Sequence, residues 1–396
     1  MRHHRWLLAA LALLPSLSGC QERLEQEEPA VPFVFRSLNL RQQDPQGRLA
    51  WQLTSPEARY DLSRKVAQAR DLRGTIFSAG KPLYTLSATS GTVLHDGALI
   101  QLEGEATLRR LGPQPLVVRA RRVRWYPRRE RMELDQRPSA SDRDLQISAN
   151  RAVFLINQDK LELRGNPELI RRLQPLTDGR PRPPELVLKV ASADWYPTSG
   201  QLSAPGPVRA IRRPAPGKPL QTLSSPFLHG NSIQQVLVLQ APVRFLDPGA
   251  KAQLLGGEST IELQKQAVVS TQPFSGAIDK LQIAGNGFEL RSAHSLAVVS
   301  PGCLLRQPGE SLQADRCAWN WTTQALEARG SVVLKRQAND QTTRAGLLTG
   351  RLGADGLAVF TSPGSRVQTQ LQVPKGNPAP AGSKPSQPGR RPPIAL

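Results

Sequence analysis

The stretch ALIQLEGEATLRR, residues 98–110, decides the fold, because its side chains alternate in polarity. One face of the extended chain would carry Ala98, Ile100, Leu102, Gly104, Ala106 and Leu108. The opposite face would carry Gln101, Glu103, Glu105 and Thr107. Successive side chains of a β-strand point to opposite sides, so the stretch predicts a strand with one apolar and one polar face.

Similar units recur along the chain, each with a short strand, an aromatic residue, a turn and a second strand that ends near glycine. They are LSATSG (86–91) with LEG (102–104), LVVRARRVRWYP (116–127), LQISANRAVF (145–154) with LELRG (161–165), LVLKVASADWYP (186–197) with LSAPG (202–206), and LQADRCAW (312–319) with LEARG (326–330). Strands that end in arginine often follow: ATLRR (106–110), LIRR (169–172), VRAIRR (208–213) and VVLKR (332–336). Residues 220–307 match the unit poorly. Such repetition predicts stacked strand pairs.

The composition supports an all-β protein. The chain has 396 residues with 31 Gly and 35 Pro, and aromatic residues make up only 5%. This balance favours many short strands and frequent turns over long helices, and we expect at least about 15 strands. Only residues 55–70 are ambiguous between helix and strand.

The first 20 residues have the layout of a lipoprotein signal peptide. Arg2 and Arg5 precede an apolar run at 6–14, and LSGC follows at 17–20. The run is shorter than the roughly 20 apolar residues that a membrane-spanning helix needs. We therefore expect Cys20 to carry lipid and to begin the mature chain. An ordinary secretory signal and a retained helical anchor are the alternatives.

The net charge of +20 requires a negative partner or a solvated basic surface. An exported chain is not expected to meet nucleic acid, and no helix-turn-helix or zinc-finger pattern is present. An anionic membrane surface or a phosphorylated glycolipid would fit the charge.

No catalytic signature is recognisable in the sequence. It contains no nucleophile elbow, phosphate loop, HExxH or CxxC motif. Three histidines follow the signal: His95, His229 and His294. His95 precedes an Asp-Gly turn and is expected to be exposed. Three tryptophans of the repeats are expected to anchor packing: Trp125, Trp195 and Trp319. The sequence thus predicts no enzyme, no catalytic residue, no metal site and no cofactor.

Cys303 and Cys317 are the two cysteines beyond the signal. They lie 14 positions apart and flank the turn-rich stretch QPGES at 307–311. An exported protein can form disulfides, so the pair could bridge a hairpin or a turn. Two free buried thiols are the alternative.

Residues 33–110 resemble the LptC family, a periplasmic component of lipopolysaccharide export. The resemblance lies in LAWQLTSPEARYD (49–61), KPLYTLSATSG (81–91), DG (96–97) and IQLEG (100–104). The later units look like the same OstA-type strand unit. The chain departs from the family in its length and in its apparent lipid anchor. The resemblance implies an elongated, open, V-shaped β-jelly roll.

The same resemblance implies a lipid-transport role. Acyl chains would lie in an apolar groove, and a phosphorylated head group would stay near Lys and Arg side chains. The groove candidates are Tyr84, Leu86, Ala88, Ile100, Leu102, Ala106 and Leu108. The implied partners are lipopolysaccharide or a similar glycolipid, the subunits of an inner-membrane ABC transporter, and an LptA-like bridge protein that pairs with edge strands.

The expected organisation has five parts. Residues 1–19 form the signal peptide, 20–30 a flexible tether, 31–215 an LptC-like jelly roll, 216–373 a second OstA-like β region, and 374–396 a disordered, Pro-rich basic tail. The expected location is the periplasmic side of the inner membrane, with the outer membrane as an alternative. A structural envelope lipoprotein without lipid cargo and a β-scaffold enzyme acting on glycans are rival functions.

Overall fold

The protein is built almost entirely from antiparallel strands. The structure is a computed structural model that describes residues 33–143, 145–171, 186–213, 217–338, 340–351, 358–362 and 366–371. The predicted signal peptide, lipidated Cys20, tether and basic tail lie outside the described residues. Within that part, 34 strands are joined in one hydrogen-bonded network, and the helical elements are three single 3-10 turns. The prediction of an all-β fold is confirmed.

The network folds into two facing sheets. Eight long strands pass from one sheet to the other: β5 (Val66–Ser78), β6 (Lys81–Leu94), β7 (Leu99–Arg110), β8 (Val117–Tyr126), β17 (Gln201–Arg212), β18 (Gln221–Asn231), β31 (Ala325–Arg336) and β32 (Gln341–Arg351). The ladder shifts register where some of them cross, as between Glu103 and Ala106 of β7.

The remaining strands each belong to one sheet. The first sheet adds β1 (Phe33–Phe35), β4 (Glu57–Asp61), β9 (Arg131–Asp135), β12 (Arg151–Leu155), β13 (Lys160–Arg164), β16 (Ser192–Tyr196), β19 (Val236–Leu239), β22 (Ser259–Glu262), β23 (Ala267–Ser270), β26 (Phe288–Arg291), β27 (Leu296–Val299), β30 (Arg316–Asn320) and β33 (Ala358–Thr361). The second sheet adds β2 (Leu38–Gln43), β3 (Leu49–Ser55), β10 (Ser139–Ser141), β11 (Leu145–Ser148), β14 (Glu168–Arg171), β15 (Leu186–Lys189), β20 (Val243–Asp247), β21 (Ala252–Gly256), β24 (Phe274–Ile278), β25 (Leu281–Gly285), β28 (Cys303–Gln307), β29 (Glu310–Ala314) and β34 (Gln368–Gln370).

The chain zigzags between the sheets, usually placing two strands in one sheet and then two in the other. Neighbouring strands lie about 4.8 Å apart, so the described strands give a body roughly 95 Å long. The segments that cross between sheets all lie on one side, which we call the seam. The hairpin turns lie on the opposite side, which we call the mouth. Residues 220–307 follow the same zigzag, although their sequence matches the repeat poorly.

The glycines that end the repeat units lie at the seam. Gly330 has φ +73°, a conformation that only glycine adopts at little cost, and a Cβ there would overlap the Asp315 carboxylate. At Gly206 a Cβ would overlap the carbonyl oxygen of Pro226 and lie 2.7 Å from its carbonyl carbon. The repeat therefore ends in glycine because the backbones approach closely where the chain changes sheets.

A disulfide between Cys303 and Cys317 links the two sheets, with Cα atoms 5.8 Å apart. Cys303 begins β28 in the second sheet and Cys317 lies on β30 in the first, so the bond spans the interior near the seam instead of closing one hairpin.

Replacing Cys303 and Cys317 together by alanine should lower the free energy of unfolding by about 3 kcal/mol, because the 14-residue loop is then open in the unfolded chain. Urea unfolding of the unreduced protein measures this. Mass-tag alkylation under denaturing, non-reducing conditions provides the control, since two reactive thiols in the wild type would contradict the bond.

Candidate functional site

The space between the sheets is lined by apolar side chains along the body. Inward-facing residues form one cluster from Trp51 to Ile261 and a second from Phe274 to Leu348. Aromatic rings meet edge to face across the interior near the amino-terminal end. The ring centroids of Trp51 and Trp125 lie 5.6 Å apart. This interior is the candidate site.

All seven groove candidates point into this interior. They lie on β6 and β7, and each is at most 6% exposed: Tyr84, Leu86, Ala88, Ile100, Leu102, Ala106 and Leu108. Gln101 and Glu103 on the same strand point outward. The structure thus brings the seven side chains together in a packed core. Their contact with lipid stays a prediction.

The repeat tryptophans also face inward. Trp125 and Trp195 are fully buried, and the Trp195 indole N–H donates to the Ser232 hydroxyl at 3.2 Å. Trp319 is half-buried, and its indole nitrogen has no hydrogen-bond partner among the described residues. Trp319 borders a shallow apolar opening to solvent, which is also lined by Ile278, Leu281, Ile283 and Leu326.

An ion pair closes the mouth near the groove candidates. Arg110 ends β7 in the second sheet, and its guanidinium pairs with Asp159 in the β12–β13 turn of the first sheet. The same guanidinium donates to the Tyr84 hydroxyl at 3.0 Å. Burial raises the pKa of Tyr84, although the Arg110 guanidinium opposes the shift. The sequence gives no sign of this contact, because 49 positions separate its two charged residues.

A second arginine bridges the mouth farther along the body. Arg171 ends β14, and its Nη1 donates to the backbone oxygen of Leu263 in the β22–β23 turn at 3.2 Å. Arg212 and Arg336 also end strands of the second sheet. Their guanidinium groups donate to the side chains of Gln221 and Glu310 within that sheet. The arginine-ended strands noted in the sequence therefore line the second-sheet edge of the mouth, which we call the lip.

The outer face of the first sheet carries paired charges. Lys160 Nζ lies 2.9 Å from Glu162 Oε1 and 3.0 Å from Asp194 Oδ2. Burial alone would raise the pKa of Asp194, but hydrogen bonds from Lys160 and Arg164 outweigh it and hold that pKa below its usual value. On the outer face of the second sheet, several cations form no ion pair with a described residue: Arg109, Arg119, Arg209, Arg244 and Lys335.

No cluster of metal-ligating side chains occurs within the described ranges. His95, His229 and His294 are all exposed. The described part of the chain also contains no helix long and apolar enough to span a bilayer.

The amino-terminal part of the chain matches a known family. Residues 6–166 match the model for lipopolysaccharide-assembly, LptC-related proteins, so this part of the chain is LptC-like. Among solved structures, the chain is similar to LptH of Pseudomonas aeruginosa, described as the LptA-homologous periplasmic component of the lipopolysaccharide transport device. The identity is 14% over 39% of this chain and 80% of that one, with a TM-score of 0.18. No curated protein sequence matches.

Proposed function

We propose that this chain, LptC-like over residues 6–166, binds the acyl chains of lipopolysaccharide or a similar glycolipid between its sheets and passes them from an inner-membrane ABC transporter to the next bridge protein. The observation that carries the proposal is the apolar interior that follows the whole body from Trp51 to Leu348.

The interior and the mouth suit the two ends of such a lipid. Each CH₂ group removed from water between the sheets would contribute about 0.8 kcal/mol. Phosphate or carboxylate groups of the head would meet the arginines of the lip, where charge-assisted hydrogen bonds are strong. Energy would come from the transporter, because the sequence has no nucleotide-binding motif.

The terminal strands of the body have a free edge that suits pairing with a neighbouring protein of the bridge. Within the described residues, β1 pairs only with β4, and β34 pairs only with β32. Phe33, Val34 and Phe35 on β1 are 44–61% exposed. An LptA-like protein would add its own strand to such an edge. We also propose that Cys20 carries the lipid anchor, that the protein lies at the inner membrane, and that residues 31–215 and 216–373 form its two β regions.

The tight packing of β6 and β7 supports a second candidate function. If the seven buried side chains never separate, the chain is a structural envelope lipoprotein without lipid cargo. For lipid to enter, the sheets must part at the mouth, where Arg110 and Asp159 meet.

Photo-crosslinking in living cells separates these two functions. A photoreactive residue at Leu86 or Ile100 should capture lipid because both side chains point into the interior, whereas one at Gln101 or Glu103 should not. Crosslinked lipid is measured by immunoblot and mass spectrometry. Equal capture at all four positions, or none while the bridge is active, would reject the groove.

A further inference from the structure

The outer face of the second sheet carries cations along the whole body, and we call it the basic face. Strand register identifies its outward side chains, because residues that pair across strands lie on the same side of a sheet. Arg209 of β17 pairs with Lys189 of β15 and with Ser224 of β18, which in turn pairs with Arg244 of β20. Exposed cations recur at such outward positions: Arg73, Arg119, Arg209, Arg244, Arg306 and Lys335.

Outward carboxylates lie mainly on the opposite side of the body. Among the described strands of the second sheet, Glu168 is the only carboxylate at an outward, paired position, and Lys189 lies 2.8 Å from it. The first sheet presents outward carboxylates along its length: Glu57, Glu103, Glu133, Asp194, Glu289 and Glu327. An anionic partner would be repelled by these groups and attracted to the basic face.

The cations of the basic face are free to bind such a partner. No described carboxylate forms an ion pair with Arg119, Arg209 or Arg244. Between them, the same row of outward positions holds hydroxyl side chains, among them Ser139 and Ser224. A guanidinium binds a carboxylate through two parallel hydrogen bonds, and serine hydroxyls can bond sugar and peptide groups. The face therefore suits a partner that carries both carboxylates and neutral polar groups.

The length of the face favours a flexible polymer over a flat surface. Its outward cations extend from Arg41 on β2 to Arg344 on β32, most of the body length of roughly 95 Å. Neighbouring strands of a sheet are rotated by about 20–25° relative to each other, so a face of many strands winds around the body. A planar lipid surface would touch only part of such a face, whereas a flexible anionic chain can follow it.

We propose that the basic face binds the peptidoglycan of the cell wall, a polymer of sugars whose peptide side chains carry carboxylates. The arginines and lysines pair with the carboxylates, and the serines bond the sugar and peptide groups. Single ion pairs on an exposed face are weak, so attachment depends on many of them together. The inference rests on the periplasmic location in the proposed function. It goes beyond lipid transport, because it gives the long body an attachment to the wall.

Co-sedimentation tests the proposal with the full mature chain in non-ionic detergent and purified peptidoglycan sacculi that are stripped of bound protein. The wild type should pellet with the sacculi, and raising the salt concentration from about 50 to 300 mM should release it, because exposed charges are screened. Sacculi whose carboxylates have been converted to neutral amides should bind at least about tenfold more weakly. Equal binding to native and amidated sacculi, or binding to neither, would overturn the proposal.

Two triple variants locate the binding surface. The variant Arg119→Gln, Arg209→Gln and Arg244→Gln removes three charges from the basic face and should weaken binding about tenfold. The matched control removes three exposed arginines of the first sheet, which form no ion pair with a described residue: Arg59→Gln, Arg70→Gln and Arg151→Gln. The control has the same net charge and should bind like the wild type. Both variants should keep the wild-type melting temperature. Equal losses in the two variants would show that binding follows total charge and would reject the face.

Anionic vesicles distinguish the wall from a lipid surface. The lipid anchor inserts equally into vesicles that contain phosphatidylglycerol, whichever arginines are replaced, so wild type and both variants should bind them alike. If the basic-face variant loses affinity for these vesicles but keeps its affinity for sacculi, the face docks on a membrane and the wall is rejected.

The outcome is distinguishable from failure of the proposed function. Lipid capture at Leu86 and Ile100 without binding to sacculi would retain transport and reject the wall attachment. Carboxylate-dependent binding to sacculi without lipid capture would retain the attachment and reject transport.

Discussion

Trp195→Ala should lower the free energy of unfolding by about 3–5 kcal/mol, the largest loss that we expect from a single truncation in the core. The side chain is completely buried on β16, opposite Leu161 and Leu202 of the neighbouring strands. Its removal leaves a cavity that the two sheets cannot close, and it also leaves the Ser232 hydroxyl without its indole donor. Urea unfolding followed by far-ultraviolet circular dichroism measures the change.

Trp321→Ala is the matched control for this truncation. Trp321 lies in the turn between β30 and β31 and is only partly buried. Its loss should cost about 1 kcal/mol, because the turn can move and water can replace the ring. If the two variants lose equal stability, Trp195 does not anchor the sheets.

Gly206→Ala should lower the free energy of unfolding by at least about 3 kcal/mol, at the upper end of overpacking effects. The added methyl group would overlap the Pro226 carbonyl, and all three of its nearest atoms belong to the backbone of β18. A side chain could rotate away, but β18 is held by the ladders with β17 and β20. The seam must therefore widen, which is measured by thermal and urea unfolding.

Gly47→Ala is the control for this prediction. It adds the same methyl group where only the left-handed backbone conformation, and no steric overlap, opposes it. Gly47 has φ +80°, and a Cβ there would meet no atom within 4 Å. Its replacement should cost about 1–2 kcal/mol, from backbone conformation alone. A Gly206→Ala variant as stable as Gly47→Ala would show that the seam tolerates a side chain.

The alternation of apolar and polar residues in the sequence was sufficient to predict which side of β6 and β7 faces inward. In residues 98–108 every second side chain is apolar, and the structure buries Ile100, Leu102 and Leu108 while Glu103 remains exposed. Residues 55–70, ambiguous in the sequence, form β4 and the start of β5. The repeat-ending glycines also carried structural information, because they lie where the chain changes sheets.

Other features depend on contacts between distant residues. In β20 and β21 the outward positions hold Leu246 and Leu255, each 45% exposed, so polarity does not alternate and the repeat is hidden. The contacts of Arg110 with Asp159 and of Arg171 with Leu263 form only when the sheets face each other. No local pattern could have indicated them.

The regular zigzag makes this protein a molecular ruler. Residues 243–273 contain β20 to β23 and bring the chain back to the seam two strands farther along the body, since Val243 and Phe274 both begin strands of the second sheet with buried side chains. One such segment adds two strands to each sheet, which corresponds to about 10 Å of length. The distance that the body spans is therefore set by the number of these segments, and evolution can lengthen or shorten it by whole units while both ends stay unchanged.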